Sequence, residues 1–117
     1  MLMLCYSKCT TCRKAAEWLN VHGVKTDMRD IKTENPTEEE LRFWQKISGA
    51  PLKKFFNTSG MRYRELGLGK ALAGMSEEEQ IKLLASDGML VKRPLLITDD
   101  TVLIGFREKE WETALVK

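Results

Sequence analysis

Hydrophobic and polar positions along the chain switch between a two-residue and a three-to-four-residue period, and the switches predict its elements. The apolar run Met1-Leu2-Met3-Leu4-Cys5-Tyr6 predicts a first strand. Arg13-Lys14-Ala15-Ala16-Glu17-Trp18-Leu19 predicts a helix, and Gly23 is its stop. Val24 to Ile31 alternates loosely as a second strand, completing a β-α-β unit of about 30 residues.

A helical block follows. Thr37 with Glu40 three positions on forms a capping box, and Leu41, Trp44 and Ile47 or Ser48 recur at helical spacing until Gly49 and Pro51 end the run. Leu52 to Gly60 has no period and reads as a loop or short helical turns. Tyr63 to Ala73 reads as a short helical piece interrupted by glycines. Ser76 with Glu79 makes a second capping box, ahead of a helix carrying Ile81, Leu84 and Ala85 on one face and stopping at Asp87-Gly88. Leu95-Leu96-Ile97 and Val102-Leu103-Ile104, joined by Thr98-Asp99-Asp100-Thr101, predict a β-hairpin. Glu108 to Val116, with Trp111 and Leu115 four apart, predicts a closing helix. The order β-α-β, helical block, β-β-α implies an α/β sandwich with a mixed sheet.

Composition narrows the class. At 117 residues, 43% hydrophobic and 31% charged, the chain fits one globular domain. A net charge of +2 gives no argument for direct binding of nucleic acid. No apolar run approaches the roughly 20 residues that span a membrane, and the opening run lacks the basic leader of a secretory signal, so a cytoplasmic location is expected. An odd count of three cysteines fits that compartment better than a secreted disulfide framework.

The candidate chemistry centres on Cys9-Thr10-Thr11-Cys12, a thiol pair between the first strand and the first helix. Unpaired N–H groups and the helix dipole stabilise a thiolate at such a position, and Lys8, Arg13 and Lys14 add positive charge. Three readings compete: redox catalysis, half of a zinc site, or buried structural thiols. Structural zinc wants four ligands, and beyond the pair the chain offers only Cys5 and His22, at spacings unlike a finger or ribbon, so no metal site is expected. In the β-α-β context redox chemistry is favoured, with Cys9 as nucleophile at the exposed helix end and Cys12 behind it as the resolving thiol. Cys5, inside the first strand, reads as a small buried hydrophobe. His22, near the end of the first helix, reads as a structural residue facing the terminal carbonyls. Arg93, before Pro94 at a strand entrance, and Arg107, after the hairpin, would bind an oxyanion if they converge on the thiolate. The glutamate runs 38–40 and 77–79 suit helix first turns, and Trp18, Trp44 and Trp111 lie in apolar stripes as core or partial core.

Cys9-Thr10-Thr11-Cys12-Arg13-Lys14-Ala15, Tyr63-Arg64-Glu65-Leu66-Gly67-Leu68, Arg93-Pro94-Leu95-Leu96-Ile97 and Gly105-Phe106-Arg107 together resemble the glutaredoxin-linked arsenate reductase and Spx family, on its arsenate-reductase-like branch. The resemblance implies a thioredoxin-like fold with a four-stranded mixed sheet, a single domain over 1–117 with a helical insertion at about 33–90, and Pro94 as the fold's cis-proline. It implies Cys9 as nucleophile, Arg93 and Arg107 as oxyanion ligands, and Arg13 and Pro94 as structural neighbours of the site. Asn57 stands at or near the place of a third arginine of such enzymes, and Cys12 is a feature shared with Spx. The implied activity is that of a thiol-dependent oxidoreductase acting on a small oxyanion or a disulfide. No bound cofactor is implied, only an external thiol reductant of glutathione, glutaredoxin or thioredoxin type. The other implied role is a redox-sensing regulator that binds RNA polymerase through the carboxy-terminal domain of its α chain, although Spx proteins carry a basic tail past the final helix and this chain is read as ending there at Lys117.

Overall fold

The computed structural model describes residues 1–116. Strand β1 (Leu2–Cys5) leads into helix α1 (Thr10–Val21) and strand β2 (Asp27–Asp30). The chain then leaves the sheet through α2 (Glu38–Ser48), a 3-10 turn (Leu52–Phe55), α3 (Met61–Glu65), α4 (Leu68–Ala71), a second 3-10 turn (Leu72–Gly74), α5 (Glu77–Ser86) and a third (Gly88–Leu90). It returns as β3 (Leu95–Ile97), β4 (Val102–Ile104) and α6 (Glu108–Leu115). The sheet order is β2-β1-β3-β4, with β1 and β2 parallel and the remaining pairs antiparallel. This is the four-stranded mixed sheet expected from the sequence.

Period-2 alternation splits the core between the two faces of the sheet. Met3, Leu96 and Leu103 point to one face, where they pack with Ala15 and Leu19 of α1 and Trp111 of α6. Leu4, Leu95 and Val102 point to the other, where Leu41, Trp44, Phe55, Phe56 and Leu84 of the helical segment cover them. Cys5, two residues after Met3, packs on the α1 face.

Both capping boxes form, on Thr37 and Glu40 and on Ser76 and Glu79. The second strand is shorter than the alternation over Val24 to Ile31 predicts. Its front is consumed by the end of α1: Gly23 at φ 67° donates its N–H to Asn20 O and Val24 donates to Leu19 O, the paired bonds of a Schellman motif. Its back is consumed by Asp30, whose carboxylate accepts the N–H groups of Lys32 and Thr33 and turns the chain. His22 caps α1, with Nδ1 2.8 Å from Trp18 O and its ring stacked on the Trp18 indole. Trp44 and Trp111 are buried and Trp18 is half-buried. Among the described residues, no helix is long and apolar enough to cross a membrane.

Two contacts hold the helical segment against the sheet. Arg29 of β2 makes a bidentate pair with Glu40 of α2, at 2.7 and 2.9 Å, and also donates to the carbonyls of Glu34 and Asn35. Gly88 lies so close to the Ile31 carbonyl that a Cβ there would sit 1.8 Å from its oxygen.

Candidate functional site

The site is assembled where three chain crossings meet at the N-terminal end of α1. Cys9 is the N-cap residue of that helix, extended at φ −88° and ψ 120°, and its own N–H donates to Tyr6 O at 2.9 Å to close the preceding turn. Arg13 steadies the same turn by donating Nε–H to Ser7 O at 3.1 Å. The Cys9 side chain makes no capping hydrogen bond and is half-buried, facing a cleft of about 860 Å³.

Backbone pairing brings the two arginines to that cleft. The Arg93-Pro94 bond is cis and Pro94 is buried. Gly105, at φ 75°, donates its N–H to Pro94 O at 2.8 Å, and the Trp111 indole N–H donates to Gly105 O at 3.1 Å. The turn after β4 is thereby pinned to the turn before β3, and Arg93 and Arg107 line the same cleft as Cys9. Arg93 is half-buried, its guanidinium carbon 5.3 Å from the centroid of the Tyr6 ring, with one weak bond from NH1 to Met89 O at 3.4 Å. Among the described residues no carboxylate pairs with it, and its buried Nε has no partner. Arg107 stands on the rim with its side chain 76% exposed and a long 3.9 Å approach to Glu110.

The third wall is not visible in the sequence. Phe56 bridges Val91 in antiparallel fashion, Lys92 donates its N–H to Phe55 O at 2.7 Å, and Asn57 donates to Leu90 O at 2.7 Å. This pairing swings Lys53, Lys54, Asn57, Thr58 and Ser59 to the cleft beside Lys92 and Arg93. The positive charge lining the cleft therefore comes from Lys53, Lys54, Lys92, Arg93 and Arg107. Lys8, Arg13 and Lys14, expected to supply it, do not line the cleft. Glu110 is the one acidic residue among the lining residues.

Cys12 lies beneath the cleft, 3% exposed, and accepts a hydrogen bond from the Tyr6 N–H at 3.4 Å. The thiols of Cys5 and Cys9 are its neighbours. The Cys5 thiol is the largest influence on Cys12; with the Tyr6 N–H, the Cys9 thiol and the Arg93 charge it outweighs burial and lowers the Cys12 pKa to about 6. Cys5 moves the other way, held protonated by its bond to Cys12, by burial and by the charges of the neighbouring thiols. Cys5, read from the sequence as a small buried hydrophobe, packs half-buried against the core on the α1 face, with its thiol near Cys12. All three cysteines are free in this structure. Among the described residues no cluster of three or more His, Cys, Asp or Glu side chains is arranged for a metal ion.

The arrangement matches known proteins over nearly its whole length. The family model described as the ArsC family matches residues 4–114. The uncharacterised protein YusI of Bacillus subtilis is 53% identical over 92% of this chain and 91% of its own. The regulatory protein MgsR of the same organism is 29% identical over 90% of this chain and 82% of its own. A crystal structure of an ArsC family related protein from Bacteroides fragilis superimposes with a TM-score of 0.93 at 53% identity, covering 96% of this chain and 94% of that one. A Streptococcus mutans protein described as a possible arsenate reductase superimposes with a TM-score of 0.86 at 44% identity, covering 95% and 96%. With this sheet, this cis-proline and this thiol pair, the chain belongs to the ArsC family.

Proposed function

We propose that the protein is a thiol-dependent oxidoreductase of arsenate-reductase type, in which Cys9 attacks a small oxyanion or a disulfide and Cys12 resolves the adduct. The observation that carries this reading is the convergence of Cys9, Arg93 and Arg107 on one basic cleft, with Cys12 directly behind Cys9. With arsenate as the example, Cys9 Sγ displaces a hydroxyl from arsenic and forms an S–As bond, and the hydroxyl leaves as water. The neighbouring Cys12 thiolate accepts the Cys9 proton during attack and returns it to the departing hydroxyl, which completes the water. Cys12, deprotonated again, then attacks Cys9 Sγ, the S–As bond breaks with its electron pair on arsenic, and arsenite leaves behind a Cys9–Cys12 disulfide. Two thiols have supplied the two electrons, and an external thiol reductant of glutathione, glutaredoxin or thioredoxin type restores them. Arg93 and Arg107 hold the negative charge through charged, forked hydrogen bonds. With a disulfide substrate, the departing thiolate replaces arsenite and the same steps balance.

The test is thiol-dependent reduction of arsenate and of insulin or a small disulfide, for the wild type and Cys9→Ser. Activity above the variant with either substrate supports the reading, and wild-type rates equal to the variant's with both reject it. A second reading is favoured by the similarity to the regulatory protein MgsR: a redox-responsive regulator whose Cys9–Cys12 disulfide reports oxidation. Its partner would be RNA polymerase, bound at the carboxy-terminal domain of the α chain. Retention on that domain in one redox state supports this reading, and no retention in either state removes it.

A further inference from the structure

We propose that Cys5 is a third redox thiol of the site, which takes the disulfide over from Cys9 by pairing with Cys12. The proposal rests on the reading of Cys9 and Cys12 as a redox pair and extends it. Two geometric observations support it. Alternation along β1 puts Cys5 on the same face as Met3, the face that α1 covers, so its side chain points toward that helix. The Tyr6 N–H, two bonds from the Cys5 Cα, lies 3.4 Å from Cys12 Sγ, which fixes the Cys5 Cα within roughly 6 Å of that sulfur. The thiols of Cys5 and Cys9 both act on the Cys12 thiol, in keeping with this placement. A disulfide needs Cα atoms about 4.4–6.8 Å apart, and a Cys5 Cα within roughly 6 Å of the Cys12 sulfur is compatible with that span.

Thiol–disulfide exchange needs an attacking sulfur that can reach one sulfur of an existing bond while the other departs. When the substrate has been reduced, the bond is Cys9–Cys12. Cys5 Sγ attacks Cys12 Sγ, the Cys9–Cys12 bond breaks, Cys9 leaves as thiolate, and the Cys5 proton passes to it. Cys5–SH and Cys9–S–S–Cys12 become Cys5–S–S–Cys12 and Cys9–SH, with no net oxidation. Cys5 is held protonated in the reduced protein by its interaction with Cys12, by burial and by the charges of the neighbouring thiols, and the Cys12 contributions are removed once Cys12 is in a disulfide. Cys9 is then free in the cleft while the oxidising equivalents are stored beneath it, on a half-buried and a buried sulfur.

The experiment is disulfide mapping by mass spectrometry, with acid quenching and alkylation of free thiols. Folded Cys9→Ser protein, treated with one equivalent of hydrogen peroxide, is expected to give a single Cys5–Cys12 disulfide and no alkylatable thiol, reversed by dithiothreitol. Peroxide oxidises Cys12 to its sulfenic acid, and Cys5 condenses with it, releasing water. Two alkylated thiols, or an oxidised Cys12 beside an alkylated Cys5, overturn the proposal. In the wild type the Cys9–Cys12 bond is expected first, then conversion to Cys5–Cys12 with Cys9 becoming alkylatable. A wild type that holds only Cys9–Cys12 at all times overturns the transfer. Because the first arm lacks Cys9, a Cys5–Cys12 bond formed there stands even if the activity tests reject Cys9 as the nucleophile.

Discussion

The lowered pKa of Cys12 makes a quantitative prediction about which thiol is ionised in the resting protein. With a pKa of about 6 in place of 9.0, Cys12 is roughly 90% thiolate at pH 7, against roughly 1% for an unperturbed thiol. The Cys5 hydrogen bond is the largest contribution, so replacing Cys5 by Ala should raise the midpoint by about a unit or more, while Ser, which keeps a donor, should move it less. The assay is the pH dependence of alkylation at each cysteine between pH 4 and 10, read by peptide mapping in Cys9→Ser protein and again with Cys5→Ala or Cys5→Ser added. Burial slows the reagent at all pH values without moving the midpoint, so the midpoint and not the rate is the observable. A Cys12 midpoint at 8 or above, or one unmoved by Cys5→Ala, refutes the reasoning. The sign carries over to stability. A thiol whose folded pKa lies below its unfolded value stabilises the fold fully above the unfolded value and loses that contribution as pH falls through the folded one. Unfolding free energy should therefore gain a Cys12-dependent increment between about pH 6 and 9, absent in Cys12→Ser. The opposite shift of Cys5 acts only above that window, where it should erode stability as pH rises.

Other expectations concern the cleft and its supports. Arg93→Ala should lower turnover of an oxyanion substrate by about 100-fold, as removal of a preorganised donor does, and Arg107→Ala by less, because its side chain is 76% exposed; steady-state kinetics at two ionic strengths measures both. Gly88→Ala, which presses a Cβ on the Ile31 carbonyl, should cost about 2 kcal/mol or more in urea unfolding, and an unchanged midpoint would show that the segment is not held there. Arg29→Met should cost about 2 kcal/mol, below the value for a fully buried pair because Arg29 and Glu40 retain 17% and 31% side-chain exposure. Trp111→Phe leaves the Gly105 carbonyl without its donor and should cost about 1–3 kcal/mol in the same assay.

What can be read from the sequence is what short-range chemistry determines. Thr37 with Glu40 and Ser76 with Glu79 set helix starts through bonds three residues long, and the structure shows both. The hairpin strands Leu95–Ile97 and Val102–Ile104 follow from two apolar runs with a turn between them. The start of β2 departs from the pattern because Val24 carries strand-like chemistry yet spends its N–H on the end of α1. The basic wall of the cleft is not legible, because Lys53 and Lys54 reach it through the pairing of Phe56 with Val91, 35 residues apart and without a period to announce it. Cys5 shows its side of the sheet by alternation, but its partner depends on how α1 sits on β1. The adjacent lysines in an aperiodic, aromatic-bearing segment, and a cysteine at even spacing from a core methionine, are the signals that the sequence offers.

The central claim, that Cys9 is the attacking thiol of the cleft and Cys12 resolves it, is tested most directly by trapping the adduct. Cys12→Ser protein exposed to glutathione disulfide should retain one glutathionyl group, mapped to Cys9, while the wild type under the same conditions should release it and form an internal disulfide. An adduct mapped to Cys5, no adduct at all, or a wild type that retains the group as fully as the variant would contradict the account.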